Sequence, residues 1–278
     1  MNIQKIGTTA LLALAGVLLA PTHSNAALAY ADGDLILGFR GATQSYEVNI
    51  GQASSLLSAT GPVTLSIGNI KADLDVLFPG WATSSSILWS LSGTKAVSGG
   101  VFTTARTTFA SRAQNVAGGV LGTQDSTAWP RRSLTGQGTP TNEMVELAAK
   151  FAVGSNGTQI ESTNSSFALI QSNSETNSYR SYMPGGDLGN STSSAAYKEF
   201  AGGIEANFGL GADNAYLDLY DIRAGTNGTP SDFIGNVSID GTSGAVTFTP
   251  EGVPEPTTVA SLGAGLALLI TRRRRQTA

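Results

Sequence analysis

The chain has 278 residues, a formal net charge of −4, 13% charged residues and 34 glycines. Typical soluble domains carry about 25% charged residues, so the composition predicts a polar but weakly charged surface. Without Lys5, Glu255 and the four arginines near the C-terminus, the remaining 11 basic and 19 acidic residues carry a charge of −8. An acidic body lacks the basic footprint of nucleic-acid binding, so we expect no nucleic-acid partner.

The chain contains no cysteine, and its single histidine is His23. This composition excludes disulfides, thiolate nucleophiles and cysteine-zinc sites. His23 lies in a segment that we expect to be removed. The mature chain would then have no histidine, which excludes a Ser-His-Asp triad and histidine-ligated metals. Only carboxylate, lysine and tyrosine chemistry remains. We therefore predict a non-catalytic protein without metal or cofactor.

Residues 1–26 have the order of features found in a secretory signal peptide. Lys5 gives a positive start, an apolar run follows to Ala20, and Pro21 breaks it. Small residues then precede Ala26, so cleavage is predicted between Ala26 and Ala27. The Sec machinery and signal peptidase are the implied partners.

The body, residues 27–250, reads as one β-rich extracytoplasmic domain. Strands are predicted at 33–40, 45–51, 63–67, 87–92 and 215–222, and residues 236–248 predict a hairpin that turns at Asp240. Short helices are predicted at 52–57, 70–78 and 141–151, and a long loop at 172–194. Short alternating strands between Gly/Ser/Asn turns favour a mainly β fold, an antiparallel jelly-roll-like β-sandwich whose polar face meets solvent.

Three carboxylates, Asp213, Asp218 and Asp221, form the densest acidic cluster of the body. A functional interpretation is a calcium site or a carboxylate pair for glycoside hydrolysis. Asp218 alternates with Leu217 and Leu219, however, which favours a solvated face of a strand. Asp32 and Asp34 flank Gly33, and a turn is the favoured interpretation there.

Three tryptophans and a run of threonines are the residues to consider for a binding surface. Trp89 lies in an apolar strand and is predicted to be core, whereas Trp81 and Trp129 stand in loops and are candidates for stacking on sugar rings. An ice-binding face needs a regular repeated array, and the threonines supply one patch: Thr103, Thr104, Thr107 and Thr108.

Five Asn-x-Ser/Thr sequons predict exposed loops. They begin at Asn156, Asn164, Asn190, Asn227 and Asn236.

The C-terminal segment combines a short motif, an apolar run and a basic end. The motif, in the linker 251–256, is Val253, Pro254, Glu255 and Pro256. The larger apolar side chains of the following helix, predicted within 257–278, are Val259, Leu262, Leu266, Leu268, Leu269 and Ile270. The basic end is Arg272, Arg273, Arg274 and Arg275. The apolar run is shorter than the roughly 20 residues that span a bilayer, but long arginine stems extend such a span and stay on the cytoplasmic side.

On these residues the tail resembles the PEP-CTERM sorting signal, which is also described as an ice-binding protein C-terminal domain. The resemblance implies a transient transmembrane anchor, recognition by an exosortase-like enzyme, removal of the tail, and delivery to the outer surface or the exopolysaccharide matrix of a biofilm. The order of the body segments 33–40, 46–51, Asp73-Leu74, Trp89 and 217–220 resembles uncharacterised exported proteins of that group. This second resemblance implies only export and a β-rich architecture.

Three functions remain open from the sequence. The first is an exported, non-catalytic protein of the cell surface or extracellular matrix with a structural or adhesive role. The alternatives are a carbohydrate-binding protein and a carboxylate-dependent glycan-processing protein of the exopolysaccharide matrix. The two ends of the chain and the missing catalytic residue types favour the first.

Overall fold

The computed structural model describes residues 30–96, 106–138, 141–142, 147, 168–175, 178–182 and 203–252. Ten strands dominate this part of the chain. They are β1 Asp34–Arg40, β2 Gln44–Gln52, β3 Val63–Thr64, β4 Leu88–Lys95, β5 Thr107–Ala113, β6 Ala168–Ser172, β7 Ala206–Asn207, β8 Leu217–Ile222, β9 Asp232–Ile239 and β10 Val246–Pro250. The helices whose bounds the structure describes are short: α1 Ala53–Leu57, α2 Ile70–Leu77, α3 Tyr179–Tyr182, and the 3-10 turns Trp81–Thr83 and Ala212–Asn214.

All ten strands belong to one antiparallel sheet. Its order is β3-β10-β9-β8-β5-β4-β1-β2-β6, and β7 pairs with β4 beside this path. The prediction of a mainly β, antiparallel fold is therefore confirmed. The described strands form a single curled sheet, however, and not the two facing sheets of a predicted sandwich, because each strand continues the hydrogen-bonded path of its neighbour.

Most of the predicted local elements are present. β1 and β2 pair with Phe39 opposite Tyr46, and β9 and β10 form the predicted terminal hairpin. Asp240 closes the hairpin turn, since its Oδ1 accepts from the backbone N–H groups of Thr242 and Ser243. Helix α2 begins after Asn69, whose side chain accepts from the Ala72 N–H and caps the helix.

Three predicted segments differ from the structure or lie partly outside it. The strand predicted at 63–67 is reduced to Val63–Thr64. Within the loop predicted at 172–194, Tyr179–Tyr182 form the single turn α3. Of the helix predicted at 141–151, Thr141, Asn142 and Leu147 are described, and all three are helical.

One side of the sheet, the apolar face, carries the larger hydrophobic core. Its strand residues include Leu35, Leu37, Phe39, Tyr46, Val48, Trp89, Leu91, Phe109, Leu217, Leu219, Val237 and Phe248. Helix α2 and the loop around Phe208 close over it. The rings of Trp89 and Phe208 stack with centroids 5.4 Å apart, and Phe39 stacks on Trp89 at 6.3 Å. Such aromatic packing contributes beyond simple area burial.

The opposite side, the polar face, alternates with the apolar face along the same strands. Its strand residues include Arg40, Ser45, Glu47, Ser90, Ser92, Thr108, Asp218 and Asn236, all buried. A smaller apolar cluster lies with them, formed by Ile36, Leu169, Tyr220 and Ile222 and by the covering residues Trp129, Leu147, Tyr179 and Ile204. The prediction that the polar residues of these strands meet solvent is therefore wrong, because loops far along the chain cover this side.

Within the described residues no helix has both the length and the apolar character needed to cross a membrane. The predicted signal peptide, the PEP motif and the C-terminal apolar run with its arginines all lie outside those residues.

Candidate functional site

The acidic cluster predicted around β8 is not a solvated surface. Asp218 and Asp221 are fully buried, whereas Asp213 is exposed. The interpretation of Asp218 as part of a wet strand face is therefore wrong. The three carboxylates also bind different partners: the Asp213 carboxylate accepts from the Gly241 N–H, and Asp221 pairs with Arg223 at 2.8 Å.

Asp218 instead fastens a loop onto the polar face. Its Oδ2 accepts from the backbone N–H groups of Asp125 (2.9 Å) and Ser126 (2.6 Å). Its Oδ1 accepts from the side-chain amides of Gln114 (2.9 Å) and Asn236 (2.7 Å). Because both of its oxygens accept hydrogen bonds, the buried carboxylate is satisfied inside the protein and holds the loop in place. This geometry is structural and leaves little room for a ligand.

The Asp32-Gly33-Asp34 segment forms the predicted turn. Asp34 accepts from the Ala31 N–H and from the side-chain amides of Asn49 and Gln52, and Gly33 has a positive φ of 99°. Asp32 pairs with Lys95 at 2.9 Å. These contacts join the start of β1 to β2 and β4.

The tryptophans proposed for sugar stacking are buried. Trp81 is 1% exposed, packs edge-on against Phe208 and donates to Asp75. Trp129 is 2% exposed, donates to the Ser111 carbonyl and lies under the Arg112 guanidinium. The proposal that Trp81 and Trp129 stack on sugars is therefore wrong, because both indoles fill cores. The core assignment of Trp89 is confirmed.

The threonine patch and the sequons are only partly described. Thr107 and Thr108 are buried in β5, so they present no ice-binding surface, and Thr103 and Thr104 lie outside the described residues. Asn227 is exposed, as predicted. Asn236 is fully buried in β9 and bonds Asp218, so its prediction as an exposed site is wrong. Asn156, Asn164 and Asn190 lie outside the described residues.

A buried ionic cluster occupies the polar face between β1, β2 and β4. Arg40 binds Glu205 through two hydrogen bonds of 2.6 Å, and both side chains are 5% exposed. Burial raises the pKa of Glu205, and the Arg40 guanidinium opposes that rise. The Tyr179 hydroxyl bonds Ser90, and its ring lies where a Cβ on Gly38 would be, at 2.1 Å from Cε2. Only glycine at this position permits the tyrosine to lie against β1.

Glu47 lies beside this cluster and is fully buried. Within the described part of the chain, neither of its carboxyl oxygens has a hydrogen-bond partner. Burial raises the pKa of Glu47 well above its ordinary value, and the nearby Glu175 adds to that rise. Burial without a partner disfavours the charged form of a carboxyl group, so the folded protein holds the Glu47 proton more tightly than the unfolded chain does.

Two open clefts lie at the end of the sheet where β8 begins, one on each side of Tyr216. The amide cleft, of about 230 Å³, is lined by Asn115, Asn207, Asn214, Leu210 and Tyr216 and reaches the Arg40–Glu205 pair at Glu205. The hairpin cleft, of about 310 Å³, lies against the β9–β10 hairpin and is lined by Asp213, Asp240, Ser243 and Tyr216. We call the two clefts together the groove.

Sequence reasoning named two residues of the groove, Asp213 in the acidic cluster and Asp240 in the hairpin turn, but did not bring them together with the others. The lining comes from four separate segments, near residues 88, 113–117, 205–216 and 238–247. No spacing along the chain marks such a set. Within the described residues no group of three or more His, Cys, Asp or Glu side chains could hold a metal ion.

Comparisons with known proteins gave no relative. No protein-family model, no curated protein and no solved structure matches the chain.

Proposed function

We propose that this protein is exported, sorted by its PEP-CTERM-like tail to the cell surface or extracellular matrix, and has a non-catalytic structural or adhesive role there. The signal peptide predicted at 1–26 and the tail predicted at 251–278 support the export and sorting. An exosortase-like enzyme that recognises Pro254, Glu255 and Pro256 is the expected partner.

One observation carries the non-catalytic part of the proposal: four buried carboxylates of the described residues hold parts of the fold together. Asp218 holds the loop at 125–126, Asp34 holds the turn before β1, and Glu205 neutralises Arg40. Asp73 accepts from the Tyr46 hydroxyl at 2.7 Å and so joins α2 to β2. A carboxylate that already accepts several internal hydrogen bonds is poorly placed to exchange protons with a substrate.

A glycan-processing role has less support. Glu205 is the buried carboxylate that reaches the amide cleft, and the Arg40 guanidinium occupies both of its oxygens. Glycosidases need a second free carboxyl about 5–10 Å away across the scissile bond. Glu47 is fully buried and does not line either cleft.

Fractionation and intact-mass measurement in the native host test the sorting. We expect the delivered protein to lack residues 1–26 and the tail, and to lie at the surface or in the matrix. Loss of the sorting enzyme, or the double change Pro254→Ala and Pro256→Ala, should leave the tail attached in the membrane fraction. Pro62→Ala, an exposed proline of the body, is the matched control. A full-length protein in the cytoplasm would overturn the proposal.

The non-catalytic part has its own test. The full chain, incubated with a broad panel of neutral and acidic polysaccharides, should release no new reducing ends. Release that disappears in Glu205→Gln would contradict the proposal and favour glycan processing.

A further inference from the structure

We propose that the groove binds a neutral, hydroxyl-rich polymer, a polysaccharide chain without charged sugars. This inference rests on the proposed adhesive role and names the partner class. It comes from the lining of the two clefts, their shape and their charge.

The lining of the amide cleft suits sugar hydroxyls. Asn115, Asn207 and Asn214 each carry a carbonyl acceptor and an NH₂ donor, and a hydroxyl group can both donate and accept. Each of the three uses one of these atoms within the protein: Asn115 donates to the Asp125 carbonyl, Asn207 accepts from the Gly209 N–H, and Asn214 donates to the Leu210 carbonyl. These contacts orient the three amides before any ligand arrives, which lowers the entropy cost of binding.

Apolar groups stand beside the amides. Leu210 is 72% exposed and lines the amide cleft, and Tyr216 lines both clefts. Sugar rings have apolar C–H faces as well as hydroxyl edges, and a tyrosine or leucine beside amides matches both. Tyr216 is also the point at which the two clefts meet, so a chain that crosses it would contact both.

The shape of the groove favours a polymer over an enclosed small molecule. Sites for small ligands are clefts of roughly 300–1,000 Å³ that bury most of the ligand. The two clefts, at about 230 and 310 Å³, are at or below that range and open to solvent. An extended chain that lies across the end of the sheet can bind through several such shallow contacts.

The charges of the groove exclude an anionic chain. In the amide cleft the one acidic side chain, Glu205, is paired with Arg40. In the hairpin cleft Asp213 and Asp240 supply carboxylates that accept hydrogen bonds from backbone N–H groups. Carboxylates accept from sugar hydroxyls but repel uronic acids and sulfated sugars.

Isothermal titration of the full chain, purified in a detergent without a sugar headgroup, tests the inference. The probes are hexasaccharides of glucose, galactose and mannose, with uronic-acid and glucosamine oligomers as charged arms. We expect at least one neutral probe to bind. Tyr216→Ala should weaken that binding about tenfold, the scale of a lost aromatic contact with its neighbouring hydrogen bonds.

Two leucines provide a matched pair. Leu210→Ala should weaken binding, whereas Leu134→Ala, at an exposed leucine outside the groove (52% exposed), should leave it unchanged. Leu210 is exposed, so this variant folds even if Tyr216→Ala does not. The inference is overturned if no neutral probe binds, if only charged probes bind, or if Leu210→Ala and Leu134→Ala bind alike. None of these outcomes bears on export or tail removal, which the fractionation experiment measures separately.

Discussion

The two faces of the sheet are built from the same strands and stabilised in different ways. On the apolar face, Phe39, Trp89 and Phe208 pack as stacked rings, and close packing is the main contact. On the polar face, buried polar groups select the segments that cover them: Asp218 binds the loop at 125–126, and Arg40 binds Glu205. Apolar packing tolerates substitutions of similar volume, whereas a buried polar group loses stabilising free energy when its specific hydrogen-bond partner is replaced. The apolar face thus supplies stability, and the polar face determines where the loops dock.

The largest effect is expected from the apolar face. Trp89→Ala should lower the free energy of unfolding by about 3–5 kcal/mol, because it removes a buried ring and leaves a cavity. Trp89→Phe should cost much less, since it keeps a ring against Phe208 and the buried Trp89 Nε1 has no hydrogen-bond partner within the described residues. Urea denaturation of both variants measures the difference. Equal losses would show that volume at this position matters little.

A comparable loss is expected when one partner of the buried ion pair is removed. Arg40→Met should cost about 3–5 kcal/mol, because Glu205 then stays buried without its counter-charge. The double variant Arg40→Met, Glu205→Leu should recover most of this loss, since no charge is left in the interior. A double-mutant cycle by urea denaturation gives the coupling. If the double variant is no more stable than Arg40→Met, Arg40 and Glu205 are not energetically coupled, although they are hydrogen-bonded to each other.

A smaller loss is expected at Asp218. Asp218→Asn keeps the shape but replaces one acceptor oxygen with an NH₂ group, so buried donors among Gln114, Asn236, Asp125 and Ser126 lose their partner. The cost should be about 1–3 kcal/mol. Asp213→Asn, an exposed carboxylate that can keep its bond to the Gly241 N–H, is the matched control and should stay within about 0.5 kcal/mol of wild type. Faster amide exchange at Asp125 and Ser126 would locate the defect in the docked loop.

The smallest effect, and the one with a pH signature, is expected at Glu47. Burial raises its pKa in the folded state, whereas in the unfolded chain it titrates near about 4.3. Well below the unfolded-state pKa, Glu47 is protonated in both the folded and the unfolded state. As the pH rises from the unfolded-state pKa to the raised folded-state pKa, the unfolded chain releases the proton more readily and the folded protein loses stability. Glu47→Gln is neutral at every pH, so it should reduce this decline and be more stable than wild type at neutral pH.

Urea denaturation at a series of pH values from 4 upward measures the Glu47 effect. The exposed Glu251 offers the control Glu251→Gln, which should follow the wild-type curve. If the stability of Glu47→Gln and of wild type changed with pH in parallel, the pKa of Glu47 would not be raised in the folded protein.

The sequence predicted the strands of the sheet better than it predicted the loops that cover the polar face. Period-2 alternation placed Tyr46 and Val48 on one face and Glu47 and Asn49 on the other, and β2 has that pattern. Alternation cannot say whether the second face meets water. The answer depends on partners far along the chain: Ser126 lies 92 residues from Asp218, and Glu205 lies 165 residues from Arg40.

The same limit explains the errors about single residues. Trp129 stands beside Pro130, so the sequence predicts that it is a loop residue. The loop packs against β5, however, and the indole is buried in the smaller apolar cluster of the polar face. The groove could not be predicted for a related reason. Its amides lie in the loop after β5, in β7 and in the 3-10 turn before β8. Their meeting point depends on the order of β4, β5 and β8 in the sheet, which no local pattern specifies.

The place where the chain leaves the sheet has a mechanical consequence. The last strand, β10, runs from Val246, beside the hairpin cleft, to Pro250, after which the Gly252 N–H bonds the Gly122 carbonyl. If the protein held a polymer in the groove while still tethered through its C-terminus, tension would run along the length of β10. Antiparallel hydrogen bonds lie perpendicular to the strands, so the bonds from β10 to β9 would share that load in shear and would not open one at a time like a zipper. Such a geometry resists pulling far better than peeling from an edge.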